Sequence, residues 1–363
     1  MKNFHITLTD FRHESRILKE TFSIASHNLF KEIIIIAQHS EDLPIKERID
    51  DKRVVYRISL LFKRLPKTFL FQIVKYMEFF FRVIFISLKN KPHTINLHTI
   101  SLLPLGFVLK VLHNCILIYD THELETEVEG LVGFRKLLAK ILEKSLIKKC
   151  DAVCVVNNSI KDWYKKNYDI NNIWVVYNTP YLSNRKIRRT GLLRKSINVQ
   201  SDDYIIYIYQ GMLSSGRGIK IMLNAFSKLS IKHNLVILGY GPMEEIVKEN
   251  AKLHENIHFI PAVSPDEINS YTVDADIGLC LIENTCLSYY LCTPNKLYEY
   301  TNCEVVPIVS IFPEMSKFID IFNCGWKINP DVNSLISLIK KIDNKTLLSM
   351  KKNAKKASKK FCW

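Results

Sequence analysis

The sequence predicts a two-lobed α/β protein with doubly wound parallel sheets, and three features carry that prediction. Short apolar runs rich in β-branched residues, such as Ile33-Ile34-Ile35-Ile36-Ala37 and Leu235-Val236-Ile237-Leu238, alternate with helical segments. Such runs are apolar on both faces, which suits strands covered by helices on both sides of a parallel sheet. Second, 363 residues with 47% hydrophobic and 24% charged content make a globular chain long enough for two domains. Third, a stretch rich in Arg, Asn and Ser divides two such series, giving an N-terminal lobe over 1–180, a linker over 181–203 and a C-terminal lobe over 204–363.

In the first lobe, residues 5–9 read as a short strand. Asp10-Phe11-Arg12 and Ser15-Arg16-Ile17 then open a helix that runs to about residue 29, before the strand at 33–37. Arg16 is a candidate phosphate or acceptor contact, with a solvated helix-start Arg as the plain alternative. Residues 69–88 are almost entirely apolar apart from Gln72, Lys75, Glu78 and Arg82. Three charges near the middle exclude a membrane span. The polar residues share one stripe, and Arg57, Lys63, Arg64 and Lys67 precede it. Two readings stay open: a segment lying against an anionic membrane surface, or a buried packing helix.

Strands at 94–98 and 115–119 flank a helix over 104–112, and the second strand ends in Asp120-Thr121-His122-Glu123. Ligands of open α/β sheets sit at the carboxyl ends of strands. His122 is therefore a candidate catalytic residue, able to donate to a transferred group or a leaving phosphate, and Glu123 a candidate to orient it or approach an acceptor hydroxyl. The plain alternative is a structural histidine. Residues 123–135, with Gly130 and Gly133, read as a loop, 134–149 as a basic helix, and 173–180 as the last strand of the lobe, ended by Asn178-Thr179-Pro180.

The second lobe opens with a strand at 204–209 and a turn at Gly211. Gly211 and Gly218 would let backbone approach a diphosphate, which Arg217 could grip in a bidentate way. Later, the apolar run 276–282 leads into Tyr289-Tyr290-Leu291-Cys292-Thr293-Pro294-Asn295-Lys296-Leu297-Tyr298-Glu299, where Thr293-Pro294 reads as a helix start. The N–H groups and positive end of that helix suit a phosphate, Lys296 adds a charge, and Glu299 one turn on could accept two hydroxyl hydrogen bonds. An ordinary capped helix with a solvated Lys and Glu is the plain alternative.

The formal net charge of +15 implies an anionic partner, whether nucleic acid, membrane surface or phosphorylated substrate. No interleaved aromatic and basic patch, zinc spacing or recognition-helix signature favours nucleic acid. The N-terminus lacks the apolar core of a secretory signal, so a cytoplasmic location is expected. Nine cysteines, an odd number without a CxxC pair, read as reduced thiols rather than a metal cluster. Lys351, Lys352, Lys355, Lys356, Lys359 and Lys360 share a face of the terminal helix, either solvated or membrane-docking.

Taken together, Tyr207-Ile208-Tyr209-Gln210-Gly211-Met212-Leu213-Ser214-Ser215-Gly216-Arg217-Gly218, Tyr119-Asp120-Thr121-His122-Glu123 and Pro294-Asn295-Lys296-Leu297-Tyr298-Glu299 resemble the large retaining glycosyltransferase family, of the family-four type, of bacterial capsule, O-antigen and exopolysaccharide synthesis. The resemblance runs from Asp10 to about residue 330. It implies the GT-B fold, in which two Rossmann-like lobes face each other across a cleft. It also implies a nucleotide-sugar donor held by Gly211, Arg217, Gly218, Tyr290, Asn295, Lys296 and Glu299, a glycan acceptor that is lipid-linked, and His122 in the donor sugar pocket. Transfer with retention, no cofactor and no essential metal follow from the same likeness, with the inner membrane surface as a further partner and nucleic acid as none.

Three positions depart from the family pattern. Met212 stands where a basic residue is usual, Leu291 where a first glutamate reads the sugar, and Glu304 where a glycine turn is usual, so the loop at Glu304 is expected to differ. The rival readings are a sugar-nucleotide epimerase of the same fold and a non-catalytic scaffold of a polysaccharide complex.

Overall fold

The computed structural model describes residues 1–12, 14–66, 68–182, 189–199 and 203–363. It divides into two compact units, Met1–Val176 and Tyr177–Trp363.

The first unit runs β1 (Lys2–Ile6), α1 (Ser15–Ser26), β2 (Glu32–Gln38), β3 (Lys46–Arg48), β4 (Arg53–Ile58), α2 (Phe69–Asn90), β5 (Thr94–Leu97), α3 (Leu103–His113), β6 (Ile116–Asp120), α4 (Gly133–Leu146), β7 (Ala152–Val155), α5 (Asn158–Tyr168) and β8 (Ile173–Val175). Its eight strands lie in the order β3-β4-β2-β1-β5-β6-β7-β8. All pairs are parallel except β3 with β4. The isoleucine run explains the centre: Ile33, Ile34, Ile35 and Ile36 are all fully buried, as only a strand covered on both faces can be. Phe4 pairs with Ile34 on one side and Ile95 on the other.

The first strand lies earlier than expected, at 2–6 rather than 5–9, and the first helix is shorter, at 15–26 rather than 10–29. Local hydrogen bonding is the reason. The Thr9 amide donates to the Thr7 hydroxyl and the Arg12 amide to the Asp10 carboxylate, so residues 7–12 turn before α1 begins. Away from this site, α4 is anchored by a buried carboxylate, because Glu143 accepts hydrogen bonds from the hydroxyls of Tyr119, Tyr164 and Tyr168 at 3.0, 2.7 and 2.7 Å.

The second unit runs α6 (Leu192–Ser196), β9 (Ile205–Met212), α7 (Ile219–Phe226), β10 (His233–Tyr240), α8 (Glu244–Leu253), β11 (Ile257–Pro261), α9 (Pro265–Thr272), β12 (Ile277–Cys280), α10 (Leu287–Tyr290), α11 (Asn295–Asn302), β13 (Val306–Ser310), α12 (Pro313–Phe322), β14 (Trp326–Ile328), α13 (Val332–Ile339) and α14 (Asn344–Lys360). Its parallel sheet has the order β11-β10-β9-β12-β13-β14, with apolar clusters on both faces.

The linker expected over 181–203 falls in part outside the described residues, at 183–188 and 200–202. Its described part is built into the second unit: Leu193 is fully buried, and the Asp274 carboxylate accepts the amides of Thr190, Gly191 and Leu193. Asp276 continues this anchoring through Arg189, Lys351 and the Ile206 amide.

At the loop expected to differ, Glu304 takes the backbone conformation that a glycine turn favours. Glu304 itself adopts the left-handed conformation, with φ +57°, and its carboxylate pairs with Lys355 at 2.5 Å. Lys351 and Lys355 on α14 are thus bound within the unit, and Phe361 stacks on Tyr298 at 5.7 Å.

Candidate functional site

Each unit brings together part of what the sequence singled out. In the second, the carboxyl end of β9 lies beside the start of α11. Lys296, 9% exposed, sets its Nζ 3.6 Å from the Tyr209 ring centroid. The Arg217 guanidinium stands 4.7 Å from the Tyr289 ring. Each cation is thus seated against an aromatic face, which helps to hold it in place. Cys280 lies among them: burial pushes its thiol up to about 11, with Lys296 and then Arg217 acting the other way.

Glu299 Oε2 accepts a 2.6 Å hydrogen bond from Gln210 Nε2, and Gln210 Oε1 accepts one of 2.6 Å from the Thr272 hydroxyl. This chain fixes the carboxylate at the end of β9, so Glu299 is a positioned acceptor rather than a solvated surface acid. Gly211, at φ +121°, turns the chain out of β9, and a Cβ there would stand 3.9 Å from Lys296 Nζ. Gly218, at φ +72°, caps α7 so closely that a Cβ would lie 2.6 Å from the Leu281 carbonyl oxygen. Both conformations favour glycine.

Asn295 is the first residue of α11 and accepts from Asn178 Nδ2 at 3.1 Å; the helix begins after Pro294, one position later than the Thr293-Pro294 start expected. Tyr290 packs on Phe312 and, with Asn284, Thr285, Cys286 and Leu287, lines an open recess of about 340 Å³. Glu283 went unnoticed in the sequence: it accepts the Gly218 amide at 3.1 Å, and its own amide donates to the Gly216 carbonyl. Nothing in its local sequence distinguishes it.

In the first unit, His122 belongs to a network that the sequence did not reveal. His5 Nδ1 lies 2.9 Å from His98 Nε2, and His98 Nδ1 lies 3.1 Å from His122 Nε2. Asp120 Oδ2 is 3.1 Å from His98 Nδ1 and 3.4 Å from His122 Nε2. Arg16 closes the group, donating from Nε to Asp120 Oδ2 at 3.0 Å and from Nη2 to Oδ1 at 2.5 Å, with Glu20 3.0 Å from Arg16 Nε.

Burial alone would raise the Asp120 carboxyl, but the Arg16 charge and the hydrogen bonds from His122 and His98 hold it well below the usual carboxylate range. Burial lowers His5 and His98, and burial followed by the Asp120 charge pushes Glu20 well up.

Two expectations change here. Arg16, 3% exposed, is the internal counter-ion of Asp120 rather than a contact for phosphate or acceptor. The side chain that orients His122 is Asp120, while Glu123 is exposed and engages the Thr121 hydroxyl through its backbone carbonyl. At Glu125, two residues on, burial pushes the carboxyl up to about 7, although it accepts the Ile100 amide and the Thr99 hydroxyl. His98 Nδ1, Asp120 Oδ2 and His122 Nε2 form a donor set of the kind that could hold a metal ion. The Arg16 guanidinium already supplies the positive charge that such an ion would bring to Asp120.

The family model Glycosyltransferase Family 4 matches residues 31–179, and the model Glycosyl transferases group 1 matches residues 193–360. A curated relative, Uncharacterized glycosyltransferase MJ1607 of Methanocaldococcus jannaschii, is 29% identical over 132 residues, which is 35% of this chain and 30% of that protein. The match thus spans about a third of the relative's length.

Among solved structures, sucrose-phosphate synthase from Thermosynechococcus elongatus aligns with a TM-score of 0.81 at 16% identity, covering 100% of this chain and 95% of that one. Anabaena Alr3699/HepE in complex with UDP-glucose gives 0.72 at 13%, covering 100% and 96%. WaaG, a glycosyltransferase involved in lipopolysaccharide biosynthesis, gives 0.70 at 11%, covering 99% and 95%. The first lobe thus matches the Glycosyltransferase Family 4 model and the second the Glycosyl transferases group 1 model, on two α/β lobes with the GT-B fold.

Proposed function

We propose that this glycosyltransferase moves a sugar from a nucleotide-sugar donor to a lipid-linked glycan in cell-surface polysaccharide synthesis, at the inner face of the cytoplasmic membrane. The observation that carries the donor half is the positioned trio of Arg217, Lys296 and Glu299 around the Gly211 and Gly218 turns. Arg217 and Lys296 hold the diphosphate and stabilise the charge that grows on it as the bond from the anomeric carbon to the phosphate oxygen breaks. In other enzymes a divalent cation performs this task, so these two cations support a metal-independent reaction.

Glu299 accepts the ribose hydroxyls, while Tyr290 and Asn295 flank the donor. His122 donates to the sugar or the leaving phosphate, and Glu123 serves the acceptor. The acceptor hydroxyl attacks on the face that the phosphate leaves, and its proton passes to the leaving phosphate oxygen, giving retention. The binding of UDP-glucose by the Anabaena protein and the lipopolysaccharide role of WaaG support the donor and acceptor classes.

The test is thermal stabilisation and donor turnover against UDP-, GDP-, ADP- and CMP-sugars, comparing wild type with Arg217→Ala and Glu299→Ala. One nucleotide should stabilise wild type, and both substitutions should abolish the shift. No shift with any donor overturns the reading and leaves a scaffold. Epimerised nucleotide sugar formed without an acceptor would instead make the chain an epimerase.

A further inference from the structure

We propose that α2 and α4 form a docking surface for an anionic phospholipid bilayer, with α2 lying in the plane of the interface. The proposal goes beyond sugar transfer and stands whether or not the chain transfers a sugar.

The 22-residue α2 buries Phe79, Val83 and Ser87, one narrow face at i, i+4 and i+8, against its own unit. The opposite side carries Leu70, Val74, Met77, Phe81, Phe85 and Leu88, whose spacing places them on a single stripe. They are 72%, 38%, 38%, 61%, 59% and 52% exposed. Phe69, Phe71 and Ile73 in the first turns are exposed as well. A packing helix buries its apolar stripe; this one buries the narrow face and leaves the wide one in water.

A second apolar edge lies next to the first. On α4, Phe134, Leu138 and Ile141 follow the same i, i+4, i+7 spacing and are all exposed. The Arg135 guanidinium of α4 stands 5.8 Å from the Phe69 ring of α2, so the two edges adjoin.

Charge selects the occupant. Residues 61–91 hold seven Lys and Arg to one acid, and residues 132–149 hold six to one. The two acids are taken, Glu78 by Arg82 and Glu143 by its three tyrosines, while Glu127 outside these stretches takes up Lys136 and Lys140 and leaves the remaining Lys and Arg in excess. Two copies of so basic a face repel each other, which disfavours self-association. An anionic bilayer accepts both parts: apolar side chains enter the acyl boundary while Lys and Arg reach the headgroups along aliphatic stems, as Lys89 does over the Phe85 ring at 4.4 Å. Among the described residues no helix is long and apolar enough to cross a membrane, so α2 lies on the bilayer rather than through it.

The experiment floats the full chain with vesicles of phosphatidylcholine alone or with added phosphatidylglycerol, at low and high salt. The variants are Leu70→Ser/Phe81→Ser/Phe85→Ser on α2 and Phe134→Ser/Ile141→Ser on α4, all exposed positions whose loss leaves the core intact. Wild type should float with anionic vesicles, bind neutral ones roughly tenfold more weakly or worse, and lose binding at high salt; each variant should lose roughly tenfold or more on anionic vesicles.

Equal binding to both vesicles, no flotation, or variants that float like wild type would overturn the proposal. So would a dimer in sedimentation that the α2 variant dissolves, since the face would then bind a second copy. Nucleotide-sugar binding measured on the same preparations separates a failed docking surface from a failed transferase reading.

Discussion

The Arg16–Asp120 pair is the sharpest test of how the first unit is built. Both side chains are 3% exposed, and Asp120 accepts two hydrogen bonds from Arg16 while standing within reach of His98 and His122. Asp120→Asn keeps the shape and removes the charge, so buried Arg16 loses its main counter-ion and keeps Glu20, the Val176 carbonyl at 2.6 Å and the Asn oxygen. Removing one partner of a buried pair costs about 3–5 kcal/mol. Because the Asn oxygen still accepts one bond, the lower end applies, about 3 kcal/mol.

Native-state hydrogen exchange on the full chain reads this directly. The slowest amides of β1, β5 and β6 should exchange about a hundredfold faster, since each factor of ten is about 1.4 kcal/mol. In Arg16→Met/Asp120→Asn no charge of the pair is stranded, so the double variant should lose less than the sum of the two singles, by about 2 kcal/mol. Less than a tenfold acceleration in Asp120→Asn, or strict additivity in the cycle, would show that the pair does not carry this part of the sheet.

Three further outcomes follow from single positions. Glu125 has a folded pKa raised to about 7 against an unfolded value of about 4.3. Its contribution is therefore fully present below about pH 4 and lost as pH rises through about 7, at most about 4 kcal/mol, and Glu125→Gln should flatten urea-midpoint profiles across that window. Glu304→Gly relieves the left-handed φ and loses only an exposed pair with Lys355, so thermal unfolding should show a gain of about 0.5–1 kcal/mol. Gly218→Ala meets both a positive φ and the Leu281 carbonyl, so it should cost about 2 kcal/mol or more and weaken donor binding, measured by calorimetry.

Periodicity was enough to read most strands and long helices, because β-branched runs such as 33–36 have one way to hide on both faces. It failed at ends. Residues 7–12 look like strand and helix in turn, and the amides that donate to the Thr7 and Asp10 side chains decide otherwise. The motif residues Gly211, Arg217, Gly218, Lys296 and Glu299 were legible as candidates because each lies in a short, distinctive segment.

What the sequence by itself determined is local: the alternation of strands and helices, the glycine positions that need positive φ, and the excess of positive charge. Only the tertiary structure decided what those residues meet. Arg16 and Asp120 are 104 residues apart in sequence, and Gln210 and Glu299 are 89 apart, so no local pattern announces either bond. The same holds for α2, whose composition suits equally a packed helix and an interfacial one. Which of its faces is covered depends on the strands and helices that surround it, and these leave Phe81 and Phe85 in water.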